Sequence, residues 1–262
     1  MNLTSPGLCG NCDAAVGQDM TYCPKCGQAA VVPRLTLREI GDDFMHALVH
    51  VDRSALSLIR LLVSKPGIVA AEYISGKRKR YFGPFGFLVI TVALASAMIA
   101  ISGFHVVVTS LSSQTVTTGV PNQIADFLQR HINLIFFAEV PVLAAFCRAM
   151  GVRNRAHFNY AEYLVIASYT SGLHMLFFAL IVVPVWYLLK DKPTVTADLY
   201  LAYLPIWPLY FGYAFSQFLP GPRLWSGFKG VIAVVLAITA TIATISVLSD
   251  TYVKVFSAAA AP

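Results

Sequence analysis

Residues 76–90 read GKRKRYFGPFGFLVI. Four consecutive cations, Lys77, Arg78, Lys79 and Arg80, end at two aromatics, Tyr81 and Phe82. A Gly83-Pro84 break comes next, and then a long apolar run. Cations enter hydrocarbon only at high free energy, and tyrosine favours the headgroup level. The stretch therefore marks where the chain meets a membrane, with Lys77–Arg80 as its membrane-surface residues. The chain before it reads as cytoplasmic and the chain after it as embedded.

Composition supports this division. Of 262 residues, 57% are hydrophobic and only 12% charged, about half the charged share of a soluble domain. The net charge of +6 is explained by basic cytoplasmic loops rather than by a nucleic-acid footprint. Five apolar stretches lie beyond Gly83: about 84–104, 132–150, 160–189, 199–219 and 228–249. Each is long enough to cross ~30 Å of hydrocarbon. Residues 160–189 exceed an untilted span, and Pro184 marks a kink or stop there. With the N-terminus in the cytoplasm, fifteen Lys and Arg fall on the cytoplasmic side and four outside. The positive-inside rule favours that orientation.

Residues 8–28, LCGNCDAAVGQDMTYCPKCGQ, carry Cys9-x2-Cys12 and Cys23-x2-Cys26. Two such knuckles bring four thiolates to one tetrahedral metal, and zinc in a closed structural site fits best. Gly10 and Gly27 suit the turns. Two disulfides or a redox motif are the alternatives, but a segment this short has no core of its own and the cytoplasm is reducing. Asp13, Asp19, Lys25 and Arg34 cancel in charge. The ribbon thus lacks a phosphate-binding surface and reads as protein-facing or purely structural.

Between ribbon and bundle, apolar residues recur at helical spacing from Leu37 to Leu62, after a capping-box pattern at Thr36-Leu37-Arg38-Glu39. This predicts an interfacial amphipathic helix lying on the membrane or on the embedded bundle. A second short helix spans 66–75, with Pro66 at its start and Gly76 at its end. Asp43, His46 and His50 share one helical face and read as its polar side or as a weak metal group. The expectation is an all-α membrane protein: zinc ribbon 1–34, interfacial helices with a polybasic end 35–82, and a bundle of about five transmembrane helices 83–262.

The motif order is specific: Cys-x-x-Cys, Cys-Pro-x-Cys-Gly-Gln, Asp52-Arg53, Lys65-Pro66-Gly67, Glu72-Tyr73, Gly76 to Phe82, Pro84-Phe85 and Asn159-Tyr160-Ala161-Glu162-Tyr163. It resembles a bacterial family of multi-pass membrane proteins with a short N-terminal zinc ribbon, defined as a domain of unknown function. The resemblance is dense over residues 9–88 and implies architecture without activity. Tyr163 stands where that family's pattern often has histidine.

Within the spans, Glu139, Glu162 and His174 are the ionisable groups that invite a function. An ionised carboxylate in hydrocarbon costs about 2.5–3.5 kcal/mol even on insertion scales, so it faces a cavity or a partner. Glu139 reads as a site residue or a buried hydrogen bond; Glu162 as a site residue or a partner of Arg153 or Arg155. Tyr200, Tyr203, Trp207, Tyr210 and Tyr213 share a broad face of the fourth span, which Pro205 and Pro208 interrupt. That face could line a substrate path, or pack and anchor the helix. No Ser-His-Asp set, phosphate-binding glycine loop or HExxH is present. The leading expectation is a non-enzymatic adaptor or regulatory membrane protein whose ribbon takes a protein partner. The alternative is a small-molecule or ion transporter using Glu139, His174 and the tyrosine face.

Overall fold

The computed structural model describes residues 7–38, 54–104, 132–151 and 158–259. Asp43, His46 and His50, and the cations Arg153 and Arg155, lie outside the described residues. Among the described residues the fold is helical, with paired backbone limited to isolated bridges. In chain order the helices are α1 (Ser54–Ser64), α2 (Pro66–Ile74), α3 (Pro84–Ser102), α4 (Ile132–Gly151), α5 (Tyr160–Phe177), α6 (Val183–Leu189), α7 (Pro193–Tyr203), α8 (Ile206–Phe218) and α9 (Arg223–Ala259). A 3-10 turn, Arg78–Arg80, precedes α3, and a π turn, Phe178–Val182, joins α5 to α6.

Four continuous helical stretches are long and apolar enough to cross a membrane: 78–102, 133–151, 160–189 and 223–245. The expected span at 199–219 is interrupted at its prolines and is not one continuous helix. It is two helices, α7 and α8, separated at Leu204–Pro205, and neither is long enough alone. Pro205 and Pro208 remove two helical donors within four residues, which breaks the helix there. Pro184 does not stop 160–189. It sits in the first turn of α6, where its missing N–H does least harm, and the preceding π turn absorbs the mismatch.

The elements start and end where local chemistry dictates. Pro66 and Pro84 open α2 and α3 at the first helical position. Gly103 closes α3 in the left-handed region (φ +66°). Asn159 and Glu162 form a reciprocal capping box on α5. The signal that could have found it, Asn-x-x-Glu, is present in the sequence.

The bundle packs α3 on α5, α4 on α5 and α9, and α8 on α9. Where α8 meets α9 the backbones nearly touch: a Cβ on Gly212 would come within 2.9 Å of Gly227 O. Small residues permit such contact between membrane helices. The core runs through Tyr163, Ile166, Tyr169, Phe211 and Phe215, all buried. Many leucines and isoleucines on the outer faces of the spans are exposed, such as Leu188 and Ile101. In hydrocarbon such faces carry no hydrophobic penalty.

Of the two placements open to the amphipathic segment, the structure has α1, and with it α2, on the bundle. Leu58, Leu62, Val69, Ala70 and Tyr73 are buried. Tyr210 Oη donates to Leu62 O at 2.9 Å and Tyr213 Oη to Ser64 O at 2.7 Å. These carbonyls close α1 and have no helical donors of their own. Gly67 N–H donates to Gln217 Oε1 at 3.2 Å, and a Cβ at Gly67 would sit 2.1 Å from Ala214 O.

Candidate functional site

The four cysteines lie on two similar knuckles. In the first, Cys9 N–H donates to Ala14 O and Asp13 N–H to Cys9 O, at 2.8 and 2.9 Å. In the second, Cys23 N–H donates to Gln28 O and Gly27 N–H to Cys23 O, at the same two distances. The left-handed residue of each knuckle comes directly after its second cysteine: Asp13 (φ +55°) and Gly27 (φ +69°). Gly10 lies in the turn between the first two cysteines and Gly27 closes the second knuckle; the left-handed position of the first knuckle falls to Asp13, aspartate being tolerant of that region.

All four sulfurs lie within 4.8 Å of one another, with Cys9–Cys26 and Cys12–Cys23 each at 3.6 Å. A disulfide would require about 2.05 Å. A tetrahedral ion with ~2.3 Å bonds to sulfur requires edges of about 3.8 Å, so the set fits one closed metal site. Among the described residues no other group of three or more His, Cys, Asp or Glu is so arranged. Burial opposes ionisation of Cys26, but hydrogen bonds from the Asn11 side chain and Gln28 outweigh it and bring the thiol to about 6. A backbone hydrogen bond from Ala14 favours the Cys12 thiolate, yet burial and the three neighbouring sulfurs push it up to about 12. Four thiolates cannot coexist without a cation, so metal loading would release protons.

Polar contacts fasten the ribbon to the rest of the fold. Arg34 Nε and Nη2 donate to Glu162 Oε1 and Oε2 at 2.8 and 2.9 Å, a bidentate pair. Asn159 Nδ2 donates to Leu35 O at 2.9 Å. Arg78 Nη2 donates to Pro33 O at 2.8 Å, and Lys79 N–H to Gln28 Oε1 at 3.0 Å. Glu162 is thus a junction residue at the start of α5: its side chain is 4% exposed and that of Arg34 57%. Its carboxylate also accepts the Asn159 backbone N–H at 2.6 Å.

The basic turn folds back on Glu72. Lys77 Nζ lies 2.9 Å from Glu72 Oε1 and Arg80 Nη1 3.8 Å from Oε2, while Tyr81 Oη donates to Oε2. Burial raises the Glu72 carboxyl, but Tyr81, Lys77 and Arg80 together hold it below the usual carboxylate range. Lys79 and Arg80 are the exposed cations of the turn.

The intramembrane residues form a second group at the break between α7 and α8. Tyr203 Oη is hydrogen-bonded to His174 Nε2. The His174 ring stacks on Trp207 at 4.5 Å and lies 5.6 Å from Tyr203, nearly parallel to both. Glu139, from α4, is in hydrogen-bond contact with the Trp207 side chain. The structure thus brings Glu139, His174 and Tyr203 together through Trp207. Tyr210 stacks on Trp207 but directs its hydroxyl to α1, and Glu162 is elsewhere. Sequence periodicity groups Trp207 with the tyrosines, but nothing in it links Trp207 to Glu139.

Among known proteins, a family model described as "Protein of unknown function (DUF3667)" matches residues 57–95. That segment holds most of α1, all of α2, the basic turn and the first part of α3. No curated protein and no solved structure matches.

Proposed function

We propose that this protein is a non-enzymatic adaptor of the bacterial inner membrane, carrying a structural zinc ribbon as a cytoplasmic docking head for a protein partner. The observation that carries this reading is the ribbon's apolar surface. Leu8 and Tyr22, each immediately before the first cysteine of its knuckle, are 52% and 64% exposed, and Met20 and Val31 are exposed as well. A small neutral module that is held to the bundle by Arg34 and Glu162, yet leaves such side chains to water, suits a protein interface. The cation asymmetry, fifteen against four, supports a cytoplasmic N-terminus. The choice of zinc rests on four sulfur ligands with no open position.

The transporter reading has one observation in its favour, the Glu139–Trp207–His174–Tyr203 group beside a broken helix. The grooves there are walled almost wholly by apolar side chains, which supports the adaptor. The test is in-cell crosslinking and recovery of the full-length protein, wild type against Leu8→Ser/Tyr22→Ser. Metal content and membrane insertion serve as controls. A specific protein should be retained by the wild type and lost from the variant. Identical recoveries would sink the adaptor reading.

A further inference from the structure

Gly151, Tyr160 and Phe218 mark the end of the bundle that carries the ribbon. The Tyr163 ring packs on Phe218, and its hydroxyl lies against Gly151; Arg34 and Leu35 are held there by Glu162 and Asn159. Depth inside the bundle can be read from that end. Glu139 lies twelve residues from Gly151, Leu173 thirteen from Tyr160 and Trp207 eleven from Phe218, or about 18, 20 and 17 Å at ~1.5 Å per helical residue. The three residues form one layer: Glu139 contacts Trp207, and Leu173 and Trp207 line one groove. Ile59 of α1 lines the same groove. It therefore sits near the middle of ~30 Å of hydrocarbon. From this layer α1 runs back alongside α8 to the ribbon end. Leu62 O accepts from Tyr210, Ser64 O from Tyr213, and Gly67 N–H donates to Gln217 in the last turn of α8.

We infer that α1 is a re-entrant membrane helix, which turns Leu56 and Val63 to lipid acyl chains and begins near mid-bilayer. The inference is independent of the adaptor reading. The chain is at the ribbon end at Leu35, at mid-depth at Ile59 and back at the ribbon end at Gly67. It returns to the side it left, so the number of crossings is unchanged. The length agrees: α1 has 11 residues, whereas a crossing helix needs about 20. Its outward face fits the same medium. Leu56 and Val63 are both strongly exposed, and at this depth what covers them is acyl chain rather than water. The end of α1 fits as well. Carbonyls freed at a helix end need a donor where water is absent, and those of Leu62 and Ser64 take tyrosine hydroxyls. Arg60 is the one charge in α1. It lies one turn before Ser64, and its aliphatic stem carries the guanidinium toward the headgroups of the ribbon end.

The test uses the full-length protein in nanodiscs made with phospholipids that carry a photoreactive diazirine either at mid-chain or beside the headgroup. The peptide holding Leu56 should take several-fold more label from the mid-chain lipid than from the headgroup one. Leu209, exposed on α8 two residues from Trp207, should match it. Leu224 and Trp225, exposed at the ribbon end of α9, should show the reverse preference. Stronger labelling of Leu56 by the headgroup probe would place α1 on the membrane surface and overturn the inference. Labelling by neither lipid would also overturn it, because water or another protein segment would then cover that face. Leu56→Asp should speed hydrogen exchange within α1 by roughly 70-fold, the equivalent of the ~2.5 kcal/mol that insertion scales assign to aspartate at mid-span. Unchanged exchange in that variant would mean that the face lies in water. The two-probe comparison needs only wild-type protein, so it decides the question even if the variant does not insert.

Discussion

Arg34→Ala and Glu162→Gln should release the ribbon from the bundle by the same amount, singly or together. The pair is bidentate, with bonds of 2.8 and 2.9 Å, and joins the ribbon's end to the start of α5. Breaking a fully buried ion pair costs about 3–5 kcal/mol, whereas an exposed pair contributes about 0.2–1 kcal/mol. Here one side chain is 4% exposed and the other 57%, so the geometry lies between those limits. Solvent screening on the arginine side brings the expected coupling to about 1–2 kcal/mol. That corresponds to roughly a 5–30-fold change in the equilibrium between docked and released ribbon.

Glutamine at 162 can still accept the Asn159 N–H, so the capping box survives while the charge goes. Hydrogen exchange of the linker around Leu35, whose carbonyl is held by Asn159, reports ribbon release. Metal content should not change in any variant. A double-mutant cycle isolates the pair. If the two single effects add within about 0.3–0.5 kcal/mol, the side chains do not interact and the clamp is refuted.

One zinc per chain is expected by elemental analysis, and Cys23→Ser should lose it; iron–sulfur absorbance would refute the assignment. A reporter fused at Pro262 should read as external, since the four continuous spans plus the broken α7–α8 pair make five crossings; a cytoplasmic signal would mean that α7–α8 does not cross. Gly67→Ala should destabilise docking of α2 by about 1–3 kcal/mol, because its Cβ would meet the backbone of α8 at 2.1 Å; an unchanged thermal midpoint in detergent would contradict that packing. Because the folded Glu72 carboxyl lies below its unfolded value, its contribution is present above the ordinary carboxylate pKa and lost as pH falls through the folded one. Protection of residues 76–82 should therefore weaken on acidification in the wild type and be independent of pH in that range in Glu72→Gln.

The legible parts of this chain are those governed by local spacing. Four thiols in two Cys-x-x-Cys pairs can converge with little help from the rest of the protein, so the four-cysteine cluster is readable. Apolar length alone marks 84–104, 132–150 and 160–189. The fourth stretch has enough apolar residues for a span, and its prolines are visible. Whether they kink or divide the helix depends on packing against α2 and α9, which no window of sequence contains. Arg34 and Glu162 are 128 positions apart. Periodicity offers only nearby cations as partners for Glu162. The left-handed position of the first knuckle is less legible, because alignment of the two knuckles equates Gly27 with Asp13, not with a second glycine.

The polybasic turn is where a local reading and the fold diverge in energy. About 1 kcal/mol per cation near an anionic surface would give four free cations enough attraction to hold an amphipathic helix at the headgroups. Two of the four are engaged within the protein: Lys77 with Glu72, and Arg78 with Pro33 O. Arg80 is shared, 3.8 Å from Glu72 and over the Tyr81 ring. Lys79 and Arg80 then offer roughly half the attraction of the free set. Meanwhile α1 and α2 are held to α8 by Tyr210, Tyr213 and Gln217 and by buried Leu62 and Val69. These contacts place both helices on the bundle without calling on headgroup attraction. The turn acts chiefly as a joint: Gln28, whose carbonyl closes the second knuckle, takes the Lys79 N–H through its side chain. The second knuckle is thereby joined directly to the turn that precedes α3.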